Sequence, residues 1–246
     1  GLRWEGQVSI VRLDYIKECG SACVNAATKE GGIKKSTAPS DFYTVRQDSE
    51  KLVKTKSEQF HSIVAKVLFA TKRSRPDTGT SISYLTTRVR EPNQDDWSKM
   101  VHLMKYIRGT WDLPLILHAD GSGMLKWHID ASHGVHKDMR GHTGGGLTMG
   151  TGFPITASTK QKLNTRSSTE TEIVGVDDVM PMVLWTRLYL EGQDYGVTEN
   201  IVYQDNQTAI LLEKNGKRSS GKRTKHMNMR YSVITDRVAK GHESLK

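Results

Sequence analysis

The chain has 246 residues, with 36 Lys+Arg against 27 Asp+Glu and a formal charge of +9, a length that suits one large domain or two modest ones. No apolar run approaches the roughly 18 residues that cross a bilayer, which excludes a membrane-spanning helix, and 36% apolar residues with only 6 Pro argue against low-complexity disorder. The basic balance favours a polyanionic partner and no membrane. The amino end, Gly1-Leu2-Arg3-Trp4-Glu5, has neither an initiator Met nor an apolar leader and reads as the inside of something longer.

Val8 to Gly20 is short and mixed, and Cys19 and Cys23, four residues apart without a second pair, read as two helical thiols. Thr28 to Glu58 is poor in large apolar residues and reads as a long irregular connection. From Glu58, Phe60, Ile63, Val64, Val67 and Leu68 recur at helical spacing, until Arg75-Pro76-Asp77 supplies a stop. A second amphipathic helix places Trp97, Met100, Val101, Met104 and Ile107 on one face, with Asp95 and Asp96 at its start and Gly109 just past its end.

After Pro114 the period shifts toward two. Leu125, Trp127 and Ile129 alternate with Lys126, His128 and Asp130, which predicts a strand. Two more strands, Thr143 to Met149 and Phe153 to Ser158, flank a hairpin turn at Gly150-Thr151-Gly152, and the glycines at 144 to 146 permit close approach inside the sheet. Ser167-Ser168-Thr169 then opens a helix to about Leu190, which Pro181 is expected to kink or break. A strand at Ile201-Val202-Tyr203 runs into Gln204-Asp205-Asn206. A last helix is expected from Thr224 to Lys240, and Gly241 to Lys246 begins a further strand.

Three carboxylates stand where strand ends and a helix start could bring them together: Asp130, a glutamate early in the long helix, and Asp205. Hard divalent cations want oxygen ligands, so such a set in a basic chain points to metal-assisted phosphodiester chemistry, although each acid alone could be a turn residue or cap. Of the two glutamates, Glu170 has capping-box spacing from Ser167. Glu172 instead leads at helical steps to Val176, Val179 and Val183, an apolar stripe that would pack on the sheet, and is favoured as the metal-facing acid. The basic residues Lys217, Arg218, Lys222, Arg223, Lys225 and Arg230 could track phosphates. Histidines 128, 133, 136 and 142 read as scattered surface residues rather than a transition-metal site.

Ser158-Thr159-Lys160-Gln161-Lys162, then Ser167-Ser168-Thr169-Glu170-Thr171-Glu172, Tyr203-Gln204-Asp205-Asn206-Gln207 and Arg223-Thr224-Lys225-His226 with Arg230-Tyr231 resemble the ribonuclease H region of Ty1/copia-type retrotransposon Pol polyproteins. Phe60-His61-Ser62-Ile63, Arg75-Pro76-Asp77 and Tyr106-Ile107-Arg108-Gly109-Thr110 resemble the end of the same family's reverse transcriptase. The resemblance implies a mainly helical reverse-transcriptase tail over residues 1–118. Residues 119–246 would form an α/β, RNase H-like domain with a mixed five-stranded sheet and flanking helices, truncated before the family's final helix.

It further implies cleavage of the RNA strand of an RNA–DNA hybrid by a two-metal mechanism. Asp130, Glu172 and Asp205 would hold Mg²⁺, with Mn²⁺ as a substitute. The hybrid and the remainder of the Pol polyprotein are the implied partners, and cytoplasmic particles and the nucleus the implied locations. Where the family reads His-Ile-Asp, this chain has His226-Met227-Asn228, and the family's fourth acid would lie beyond Lys246. A catalytically inactive nucleic-acid-binding or scaffolding module is the alternative.

Overall fold

In the computed structural model, residues 6–12, 14–18, 32–46, 48–215 and 244–245 are described. Cys19, Cys23 and the helix expected from Thr224 to Lys240 lie outside them. The chain divides into two compact units, one of residues 9–116 and one of residues 117–246 together with residues 1–8.

Apart from part of the short strand β1 (Val8–Ile10), the described elements of the 9–116 unit are nearly all helical. Its main elements are α1 (Lys54–Thr71), α2 (Gly79–Thr86) and α3 (Gln94–Gly109). Helix α1 starts four residues before the expected Glu58. Phe60, Ile63, Val64 and Val67 form its buried stripe, and they pack in one cluster with Ile82 and Leu85 of α2 and with Trp97, Met100, Leu103, Met104 and Ile107 of α3. Helix α3 begins with a complete capping box, in which Asn93 accepts from the Asp96 N–H at 2.9 Å and Asp96 accepts from the Asn93 N–H at 3.0 Å.

The stop expected at Arg75-Pro76-Asp77 is also a buried junction. Arg75, 2% exposed, donates through Nε and Nη2 to the Asp77 carboxylate at 2.9 and 2.7 Å. It also donates to the Thr110 carbonyl at 2.8 Å and the Thr110 hydroxyl at 2.7 Å, so one guanidinium ties the end of α1 to the end of α3.

The 117–246 unit is built on a sheet of β3 (Met124–Ser132), β4 (His142–Thr148), β6 (Ile155–Lys160), β7 (Glu199–Tyr203) and β8 (Ser244–Leu245) in the order β6-β4-β3-β7-β8. The first three pair antiparallel, whereas β7 runs parallel to β3 and β8 parallel to β7. Three antiparallel strands followed by two parallel ones, with helices between, is the mixed five-stranded sheet with flanking helices that was expected. A small ribbon, absent from the sequence expectation, pairs β2 (Leu115–Ala119) with β5 (Gly150–Thr151), so the glycine hairpin doubles as a strand.

Strand β3 alternates as expected: Leu125, Trp127, Ile129 and Ala131 are buried, while His128, Asp130 and Ser132 are exposed. The buried face receives α4 (Ser168–Glu191) through Val176, Val179, Met180 and Val183. A Cβ on Gly145 would stand 3.0 Å from Val179 Cγ2, so the bare backbone there is what lets the helix lie this close. Pro181 does not break α4, contrary to expectation. Its ring is on the exposed side, and the apolar stripe on both sides of it stays packed on the sheet, offsetting the roughly 3 kcal/mol that an interior proline costs.

Candidate metal centre

Register places two of the acids. His128 lies opposite Tyr203 in the parallel pairing of β3 and β7; two residues further on, Asp130 and Asp205 fall side by side at the carboxyl ends of their strands. Asn206 then turns the chain. Its side chain accepts from the Ala209 N–H at 3.0 Å and caps α5 (Gln207–Asn215), which holds Asp205 in the bend between strand and helix.

The third acid comes from the first turn of α4. Ser167 caps it by accepting from the Glu170 N–H at 3.2 Å. The capping box expected from Ser167 and Glu170 closes differently, because the Glu170 carboxylate accepts from the Arg166 N–H at 2.7 Å, one residue before the cap. Glu170 is thus occupied in holding the entry to the helix. Glu172, 6% exposed, points at the strand ends.

One oxygen from each of Asp130, Glu172 and Asp205 lies within 4.8 Å of the others, with Glu172 buried and the two aspartates exposed. Burial, and then the charges of Asp130 and Asp205, push the Glu172 carboxyl up to about 7. Glu172 Oε2 is buried without a hydrogen-bond partner among the described residues. A carboxylate oxygen left bare next to two further carboxylates, with only oxygen donors in the set, fits a hard divalent cation. No other group of three or more potential ligands occurs among the described residues.

Lys217, Arg218, Lys222, Arg223, Lys225, Arg230 and Asn228 lie outside the described residues. Of the four histidines, 128 and 133 are exposed. His136 and His142 are 4% and 5% exposed, and so are not surface residues as expected. The ring of His136 bonds that of His142 at 3.1 Å, and His142 bonds Ser158 Oγ at 2.8 Å. Burial and then the Lys160 charge lower His136, and burial and then the His136 charge lower His142, each to about 4. The buried Glu213 on α5 also went unread in the sequence. Burial and then the charge of Glu172 raise it to about 8.

The chain is 28% identical over 188 residues to the retrovirus-related Pol polyprotein from transposon TNT 1-94 of Nicotiana tabacum, covering 76% of the chain and 14% of that protein. It is 31% identical to the transposon Ty5-1 protein of Saccharomyces cerevisiae, over 42% of the chain and 33% of that protein. With the Pol polyprotein from transposon RE2 of Arabidopsis thaliana it shares 28% identity, over 68% of the chain and 12% of that protein. Its homologues are Pol polyproteins of Ty1/copia-type transposons.

The chain thus spans about a seventh of the tobacco Pol protein and a third of the yeast one. No family model matches it. Among solved structures, the foamy viral protease-reverse transcriptase dRH in complex with ds DNA aligns with 85% of the chain and 34% of that chain, at 12% identity and a TM-score of 0.45.

Proposed function

We propose that residues 117–246 act as a divalent-metal-dependent endonuclease on the RNA strand of RNA–DNA hybrids, in a Pol fragment whose residues 9–116 are the end of a reverse transcriptase. The observation that carries this reading is the three-carboxylate cluster, drawn from β3, α4 and the β7–α5 bend, with a bare oxygen on its buried member. The family relationship to Pol polyproteins supports the substrate class.

Asp130, Glu172 and Asp205 would hold the ions. Bound there, Mg²⁺ would supply a water of lowered pKa and positive charge for the departing oxygen. The protein's part is positional. Glu172 closes the cluster from behind, and the two exposed aspartates leave its front open to a phosphodiester. Side chains on the open face of β3, His128 and Ser132, flank Asp130 along the strand and would lie against the same backbone. Recognition would then follow sugar and phosphate rather than base sequence.

Cleavage of an end-labelled hybrid with Mg²⁺ tests the reading, with Asp205→Asn as comparison. Asp205→Asn is expected to lose activity by at least 100-fold. Equal cleavage by both proteins overturns the assignment, and salt-sensitive binding of the hybrid without cleavage would replace it with an inactive nucleic-acid-binding module.

A further inference from the structure

We propose that Gln161 is a positioning residue for the metal centre, setting where the first turn of α4 places Glu172; this rests on the metal reading above. Gln161 follows the last residue of β6 and is 1% exposed. Its backbone N–H donates to the Gly141 carbonyl at 2.9 Å. Its side-chain Nε2 donates twice, to Thr143 Oγ1 at 3.0 Å and to the Thr171 carbonyl at 2.9 Å. Those two acceptors are not arbitrary. Thr143 is paired with Ala131, the neighbour of Asp130 on β3, and Thr171 immediately precedes Glu172. A single amide therefore ties the strand beside one metal-facing acid to the peptide that carries another.

The remaining contacts of Thr171 fix it from other sides. It is fully buried, and its hydroxyl donates to the Ser167 carbonyl at 3.0 Å. The same oxygen lies 2.6 Å from Thr165 Oγ1 and 2.8 Å from His133 Nδ1, the latter just past the end of β3. These contacts restrain the hydroxyl, and among the described residues only Gln161 bonds the carbonyl from the sheet side. The amide has little room to move. A Cβ on Gly141 would meet Gln161 Oε1 at 2.5 Å, Thr171 Cγ2 at 2.7 Å and the Ser132 carbonyl at 2.9 Å, so strand, glutamine and helix meet where only glycine fits.

The orientation of the amide follows from its partners, since a carbonyl can only accept and the NH₂ end must face it. Groups that orient metal ligands from behind typically change metal affinity 10- to 100-fold when removed. Methionine at 161 keeps the length and much of the volume of glutamine while removing both donors.

The experiment is Mn²⁺ binding to the full chain, followed by electron paramagnetic resonance of free Mn²⁺, for the unaltered protein, Gln161→Met, Thr143→Val and Val183→Ala. Val183 is fully buried on the same helix, three turns from Glu172, so its truncation loosens α4 without touching the bridge. Gln161→Met is expected to weaken Mn²⁺ binding at least tenfold, and Thr143→Val, which removes one of the two acceptors, a few-fold. Val183→Ala is expected to lose stability at unchanged Mn²⁺ affinity. In hybrid cleavage, Gln161→Met should lower kcat and raise the metal concentration needed, with KM for the hybrid unmoved.

Unaltered Mn²⁺ affinity in Gln161→Met, or in Thr143→Val should Gln161→Met not fold, overturns the inference and leaves the metal reading intact. Equal weakening by Val183→Ala overturns it too, since general loosening would then suffice. If the unaltered chain binds no Mn²⁺, the metal reading fails and the inference falls with it.

Discussion

Acid should destabilise the 117–246 unit through one buried pair, His136 and His142. Their rings share one hydrogen bond at 3.1 Å, and the chain continues to Ser158 at 2.8 Å. With one proton on each ring, every contact can pair a donor with an acceptor. A further proton on each ring would set two N–H groups face to face. His136 also lies between the charges of Lys160, which lowers it, and Asp138, which raises it less.

Both imidazoles are lowered from 6.5 to about 4, mainly by burial. Above pH 6.5 folded and unfolded chains are both neutral at these positions, and the pair adds no pH dependence. Between pH 6.5 and about 4 the unfolded chain takes up protons that the folded one excludes, so stability falls as pH falls, and below about 4 the effect levels off. Both rings take up a proton in the unfolded chain, so two protons enter the count. At about 1.4 kcal/mol per pH unit for each ring, the pair removes about 3 kcal/mol between pH 6.5 and 5, and about 5 kcal/mol by pH 4.

The assay is hydrogen exchange of the β4 amides in a urea series at pH 6.5 and 5, for the unaltered chain and a His136→Gln/His142→Gln variant that keeps polar groups but cannot titrate there. The unaltered chain should lose about 3 kcal/mol more than the variant over this interval. Parallel losses in the two proteins would refute the reasoning, because other acid-titrating groups contribute equally to both.

Arg75→Ala should cost the 9–116 unit about 3 kcal/mol in urea unfolding, since it removes four short hydrogen bonds and leaves the mostly buried Asp77 with, among the described residues, only Tyr106, whose hydroxyl donates at 2.9 Å. Asn93→Ala should cost about 1 kcal/mol by losing one half of the α3 capping box, again read from urea midpoints. Gly145→Val should destabilise the 117–246 unit by about 3 kcal/mol, as its side chain would drive into Val179; a stability equal to the parent would show that α4 can back away freely. Glu172→Gln should raise the melting temperature in the absence of metal, by the equivalent of about 2 kcal/mol at pH 7.5, because a buried carboxyl no longer has to ionise, nor to face the charges of Asp130 and Asp205. It should also abolish stabilisation by Mg²⁺ in the same thermal scans.

The elements most legible in the sequence were those whose apolar spacing is also their packing. Leu125, Trp127 and Ile129 announced β3, and Val176, Val179 and Val183 announced the face of α4 and, with it, the direction of Glu172. Asp130, Glu172 and Asp205 could be singled out because each stands next to a strand end or a helix start, and the structure brings their oxygens together. What stayed hidden has a physical reason in each case. Helix α2 is eight residues of Gly, Thr, Ser, Ile, Tyr and Leu, too short to show a period. Arg75 and Gln161 look like surface residues by type, and only tertiary partners reveal that they are buried and bonded. Burial likewise separates His136 and His142 from His128 and His133, a distinction that residue type and spacing do not carry. Pro181 is a helix breaker by local rule, overruled by a stripe that packs on either side of it.

The pairing of His128 with Tyr203 gives the carboxylate cluster a property of parity. Successive residues of a strand face opposite ways, so Asp130, two steps past that rung on β3, shares the side of His128, and the bend after β7 brings Asp205 to it. Inserting one residue into β3 between His128 and Asp130 would keep all three acids in the chain and every strand in the sheet, yet turn the Asp130 carboxylate to the wrong side. Inserting two would restore its side and displace it along the strand by about 7 Å. Substitutions within these strands can be tolerated wherever burial allows, but length changes cannot, and the spacing from strand to acid is the part of this region under the tightest geometric control.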